Sequence, residues 1–157
     1  MKPNTIKEEV MRQEPAAGAS HKLPEPFQIS QLDQRMLTAL EAAAEKKALA
    51  VTVLDLRGIA SFTDYFMIAS GTNLRQVQAI ADEVVDQLKK EGTRAARVEG
   101  YRKGEWVLVD YGDFIVHVFE DKARRFYDLE RLWREAPRWD VPAEVKPATG
   151  GSLRTEL

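Results

Sequence analysis

Two short apolar runs constrain the fold most: Leu49 to Leu54 (Leu-Ala-Val-Thr-Val-Leu) and Tyr65 to Ala69 (Tyr-Phe-Met-Ile-Ala). A strand with one wet face alternates apolar and polar side chains, whereas a nearly unbroken run belongs to a strand covered on both faces. Strands of that kind need helices above and below them, so the chain has to build a layered α/β domain. The helices are visible on either side of the pair. Leu32, Met36, Leu37, Leu40 and Ala44 recur at helical spacing behind Ser30, the expected N-cap. Leu74, Val77, Ile80, Ala81, Val84, Val85 and Leu88 mark a long amphipathic helix that begins near Thr72 and ends at Gly92.

Beyond Gly92, Arg94 to Glu99 is expected to return as a strand parallel to the one before, through a right-handed crossover. Glu105 to Tyr111 and Asp113 to Phe119 form an expected hairpin that turns at Gly112, where positive φ carries no steric cost. A last helix is expected from about Asp121 to Glu135, with Phe126, Leu129, Leu132 and Trp133 on its buried side. The order α-β-β-α-β-β-β-α describes a single mixed β-sheet of about five strands with helices packed on it. Pro3, Pro15, Pro24 and Pro26 among small and charged residues mark 1–29 as a flexible arm; 30–137 is the folded domain; and Pro142, Pro147, Gly150 and Gly151 mark 138–157 as a flexible tail.

The composition narrows the function. With 157 residues and 44% apolar content the chain supplies one core, and a net charge of −2 gives no overall field for holding phosphate backbones. Cysteine is absent, which removes disulfides, thiolate metal sites and cysteine nucleophiles. No stretch approaches the ~20 apolar residues of a membrane helix, and the N-terminus lacks a signal-peptide layout, so a cytoplasmic protein is expected.

Motifs with chemical potential are few. Ser70-Gly71-Thr72 stands where a strand feeds a helix, but the lysine of a phosphate-binding loop and the spaced glycines of a dinucleotide fingerprint are missing, so it reads as a turn and cap. Small mixed-sheet nucleotidyltransferases hold magnesium on paired carboxylates, for which the candidates here are Asp110 and Asp113. Two such carboxylates on one strand need a spacing of two to share a face; these are three apart across a turn, which favours turn capping. His117 has no Cys, Ser or second His near it in sequence to complete a nucleophilic or metal set.

The hairpin is more informative. Strand parity places Trp106, Leu108 and Asp110 on one face and Val107, Val109 and Tyr111 on the other. From Glu99 to Asp121 six acids (Glu99, Glu105, Asp110, Asp113, Glu120, Asp121) stand against Arg102 and Lys103, a local charge of −4. An acidic rim around a tryptophan-centred apolar patch suits the docking of a basic protein. The pattern is equally compatible with a core Trp106 beside a solvated acidic edge. The basic residues of the last helix, Lys122, Arg124, Arg125, Arg131 and Arg134, are matched by as many acids and read as an internally paired face rather than an RNA-binding one.

At these residues the chain resembles the ribosomal silencing factor S (RsfS), or Iojap, family. The resemblance rests on three ordered blocks: Thr63-Asp64-Tyr65-Phe66 through Thr72, continued by Arg75 and Ala81-Asp82; Glu99-Gly100 with Trp106 to Asp110 and Gly112 to Phe119; and Arg125 to Trp133. Gln76 stands where the family often has His, and the arm before Ser30 is longer than in compact members. The resemblance implies a nucleotidyltransferase-like fold without the active site, no catalysis and no cofactor or metal. It also implies binding to ribosomal protein L-fourteen on the large (50S) ribosomal subunit, which blocks association with the small (30S) subunit and represses translation under nutrient limitation. By the same resemblance Trp106, Asp110, His117 and Phe119 lie at or near that contact, with Glu99 and Asp113 supplying negative charge. The alternative is a magnesium-dependent nucleotidyltransferase-like enzyme, and homodimerisation through the hairpin face would compete with the ribosome.

Overall fold

The computed structural model describes residues 5–12 and 33–142. In chain order the elements are α1 (Ile6–Arg12), α2 (Gln34–Glu45), β1 (Leu49–Asp55), β2 (Tyr65–Gly71), α3 (Leu74–Lys90), β3 (Arg97–Glu99), β4 (Trp106–Asp110), β5 (Phe114–Glu120), α4 (Asp121–Tyr127), α5 (Leu129–Leu132) and β6 (Arg138–Asp140). The strands form one six-stranded mixed sheet in the order β3-β4-β5-β2-β1-β6. Only β2 and β5 pair in parallel; every other neighbouring pair is antiparallel.

The apolar runs behave as their pattern demands. Every residue of β2 is buried, and β1 is buried over its second half. On one face of the sheet α2 and α3 pack over Val53, Met67, Val107, Val109, Val116 and Val118. The other face carries Leu54, Phe66, Ile68, Trp106, Leu108, Ile115 and Phe119 beneath α1, Ala123 of α4, Leu129 of α5 and Trp133. The parity read for β4 therefore holds, with both faces committed to a core.

Local signals set the helix ends. Asp33, not Ser30, caps α2 by accepting from Met36 N–H at 3.2 Å; Ser30 and Leu32 lie outside the described residues. Asn73 caps α3 by accepting from Gln76 N–H at 2.8 Å. At its far end Thr93 N–H reaches Leu88 O at 2.8 Å and Gly92 N–H reaches Lys89 O at 2.9 Å, the paired closure of a Schellman motif.

Several expectations are corrected. The strand after α3, β3, runs in the same direction as β2 but does not pair with it: β5 and β4 intervene, and β3 closes the sheet edge antiparallel to β4. The sheet has six strands rather than five, because Arg138–Asp140, expected in the tail, pairs with β1 between Pro137 and Pro142. The last helix is broken in two at Asp128, which adopts left-handed backbone with φ +51°. The break resets the helical phase, so Phe126, expected inside, is 79% exposed. Residues Ile6–Arg12 of the expected arm form a docked helix with Val10 fully buried. Residues 1–4 and 13–29 of that arm and 143–157 of that tail lie outside the described residues.

Candidate functional site

The hairpin brings the six expected contact residues into two environments. Asp110 and Asp113 reach its surface, while Glu99, on the neighbouring β3, is largely covered. Asp110 Oδ1 accepts from Gly112 N–H at 2.8 Å, pinning a turn that only a residue tolerant of φ +86° completes easily. Asp113, with its side chain 69% exposed, meets Arg35 at 2.8 Å, and the same guanidinium holds the α2 cap Asp33 at 2.7 Å. These bonds to Arg35 and to Met36 N–H outweigh burial and hold the Asp33 carboxyl below its usual range. The carboxylates of Asp110 and Asp113 thus serve different local partners, and among the described residues no group of three or more His, Cys, Asp or Glu side chains is placed to hold a metal ion.

Trp106, His117 and Phe119 are core residues, the second of the two readings that the strand pattern leaves open. Trp106 is 3% exposed, stacked on Phe119 at 5.0 Å between ring centroids and against Tyr127 at 4.7 Å. His117, fully buried, accepts the Trp106 indole Nε1–H on Nδ1 at 3.1 Å and meets Phe66 edge-on at 4.4 Å. Its Nε2 has no hydrogen-bond partner among the described residues. Burial, and after it the nearby charge of Lys7, lowers the imidazole pKa to about 3, so the ring is neutral.

What closes this face is α1, which pattern reading missed. Its first turn is a reciprocal capping box: Glu8 N–H donates to Thr5 Oγ1 at 3.1 Å and Thr5 N–H to a Glu8 carboxylate oxygen at 3.2 Å. That Thr-x-x-Glu spacing was the one signal in the sequence that could have found it. The seat beneath is specific. The Glu99 carboxylate accepts from Ile6 N–H at 2.9 Å and Lys7 N–H at 3.2 Å. The Lys7 ammonium donates to Trp106 O at 2.7 Å and lies 4.6 Å from the centroid of the Trp106 ring. Burial pulls its pKa down more than Glu99 and Glu105 push it up. Trp133 Nε1–H donates to Val10 O at 3.1 Å. Gly100, at φ +81°, leaves the space the lysine occupies: a Cβ there would stand 2.2 Å from Trp106 O and 2.5 Å from Lys7 Nζ.

Around this covered face the acids have intrachain work. Glu120 caps α4 by accepting from Lys122 and Ala123 N–H. Asp121 pairs with Arg125, and Glu105 stands 3.9 Å from Lys103. Three of the five basic residues of the last helices are paired with acids: Arg124, largely buried against Glu130, Ala50 O and Ser70 Oγ, Arg125 with Asp121, and Arg131 with Asp128 at 3.4 Å; Arg134 instead donates to Arg131 O. Gln76 accepts from Thr72 N–H at 2.7 Å and donates to Lys46 O and Lys47 O at 3.1 Å each, tying the start of α3 to the end of α2.

Comparison with known proteins places this architecture. Residues 29–156 match the family model described as ribosomal silencing factor during starvation. A Bacillus subtilis protein named ribosomal silencing factor RsfS is 42% identical over 112 residues, covering 70% of this chain and 95% of the relative. A mouse protein named mitochondrial assembly of ribosomal large subunit protein 1 is 29% identical over 142 residues, covering 87% of this chain and 61% of its own length. A crystal structure of a Chromobacterium violaceum protein superposes with a TM-score of 0.63 at 36% identity, over 69% of this chain and 88% of that one. No described helix is long and apolar enough to cross a membrane. With a family model spanning most of its length and a bacterial relative matched almost end to end, the chain belongs to the ribosomal silencing factor family.

Proposed function

We propose that this protein is a cytoplasmic, non-catalytic factor that binds the large ribosomal subunit through ribosomal protein L-fourteen and obstructs joining of the small subunit, repressing translation when nutrients are scarce. Family membership across residues 29–156 is the observation that carries the reading. The name of the mouse relative, which refers to the large ribosomal subunit, points the same way. Physical support comes from the acids at the hairpin turn, Asp110 and the exposed Asp113, the kind of surface charge that steers a basic ribosomal protein into place. Asp110 and Asp113 provide that charge at the turn, and Glu99 adds its own where it holds the α1 amides. Trp106, His117 and Phe119 act from beneath it, holding the shape of the strands that present it. Occlusion needs no bond-making, only a bound domain bulky enough to clash. Self-association through the hairpin would occupy the same surface and compete.

Cosedimentation with separated large and small subunits tests the binding step, and light scattering of subunit mixtures tests the obstruction. Binding to the large subunit alone, with joining suppressed as the sites fill, is the expected result. Charge reversal at the exposed Asp113 (Asp113→Lys) is expected to slow association and to do so most at low salt. Large subunits that ignore the protein, or couple normally while saturated with it, would overturn the proposal.

A further inference from the structure

The seat of α1 overlaps the proposed partner surface at two of its residues. Glu99 and Trp106, both assigned to the partner contact, are the residues that take the α1 amides and the Lys7 ammonium, and Lys7 is also the charge nearest in effect to His117. The seat is polar in its details: a carboxylate for amides, a carbonyl and a ring face for a cation, and an indole N–H for a carbonyl. Between these lies an apolar slot that takes Val10 and, in part, Ile6. A site with those receptors selects an amphipathic segment carrying a basic side chain.

We propose that α1 is an internal competitor seated on the partner surface, and that it must lift away before a basic, amphipathic segment of the partner protein takes its place. This rests on the proposed function above. Three observations make α1 a removable occupant rather than a fixed part of the core. It has seven residues, well under the ~12–15 at which an isolated helix becomes even marginal in water, so its helicity depends on the seat. One of its residues, Val10, is fully buried. And it precedes the family-matched region, 29–156, while remaining covalently attached, so rebinding is intramolecular. A competitor filling its seat about nine-tenths of the time weakens apparent partner binding about tenfold, because only the open fraction is competent.

Two measurements on the full chain test this. The first compares wild type with Lys7→Glu/Val10→Asp, whose substitutions both lie on α1, in cosedimentation with large ribosomal subunits. The variant is expected to bind about tenfold more tightly, with circular dichroism checking that the sheet domain persists. The second needs no variant: hydrogen exchange of the Ile6 and Lys7 amides, protected by Glu99 in the free protein, is followed as large subunits are added. Loss of that protection at saturation supports displacement. Equal affinity of wild type and folded variant, or amides still protected in the bound protein, overturns the competitor. If neither wild type nor variant binds large subunits, the proposed function itself fails, a pattern distinct from binding that is indifferent to α1.

Discussion

Trp106 and His117 are diagonal neighbours across the β4–β5 pair, and the indole N–H of the first donates to Nδ1 of the second at 3.1 Å with no water-facing surface on the imidazole. An Nδ1 that accepts places the ring proton on Nε2. Adding a second proton would break the bond to Trp106 and bury a cation near Lys7.

Acid therefore acts on the fold through this ring. The folded pKa, about 3, lies below the ordinary histidine value, so the unfolded chain takes the proton first. Stability from this source is intact above about pH 6.5 and declines as pH falls toward 3, with a slope approaching ~1.4 kcal/mol per pH unit. His117→Gln, which retains an acceptor for the indole, is expected to flatten that slope. Urea midpoints at pH 7, 6 and 5 measure it, and equal slopes in both proteins would remove His117 as the cause.

Trp106→Ala is expected to cost about 3–5 kcal/mol of folding stability, the range for truncating a large aromatic in a packed core. The same change at exposed Asp113 should stay within about 0.5 kcal/mol, since its pair with Arg35 is largely solvated. Denaturant unfolding of both variants checks the contrast. A loss under about 1 kcal/mol for Trp106→Ala would mean that its side chain stands on an open surface.

Gln76 uses its amide as both acceptor and donor, a pairing that joins two helix ends. Gln76→Ala should lower stability by about 1–2 kcal/mol and loosen the Thr72 amide, which donates to it. Hydrogen exchange at Thr72 reads the local effect and thermal unfolding the global one. An unchanged Thr72 protection factor would deny the tie any importance.

The enzymatic alternative is addressed by calorimetry. Titration with Mg²⁺ and nucleoside triphosphates is expected to give no binding heat, since Asp110 holds the turn and Asp113 an arginine. Saturable heat that vanishes in Asp110→Asn would revive it.

The sequence was readable wherever burial imposes a period. The two apolar runs, the α3 stripe, the Gly112 turn and the two faces of β4 all came from side chains that had one place to go. Legibility ended where tertiary contact outweighs pattern. β6 is three residues whose pairing depends on β1, and α1 is one short helix whose order depends on Glu99, Trp106 and Trp133. Phe126 was misplaced because a single left-handed residue, Asp128, offsets the helical phase of α4 from that of α5. Trp106 could not be assigned to core or surface while the helix above it was unrecognised, since apolar residues on both faces of a strand fit either role.

The sheet ends on both sides in strands of only three residues, β3 and β6, the latter bracketed by Pro137 and Pro142. A visiting strand would find about 10 Å of ladder to grip, too little to recruit a neighbour by main-chain bonding. Edges this short disfavour polymerisation by strand addition in a protein whose proposed work is among crowded ribosomes. Association is left to surfaces where side chains choose the partner, and one substitution at a time can tune it.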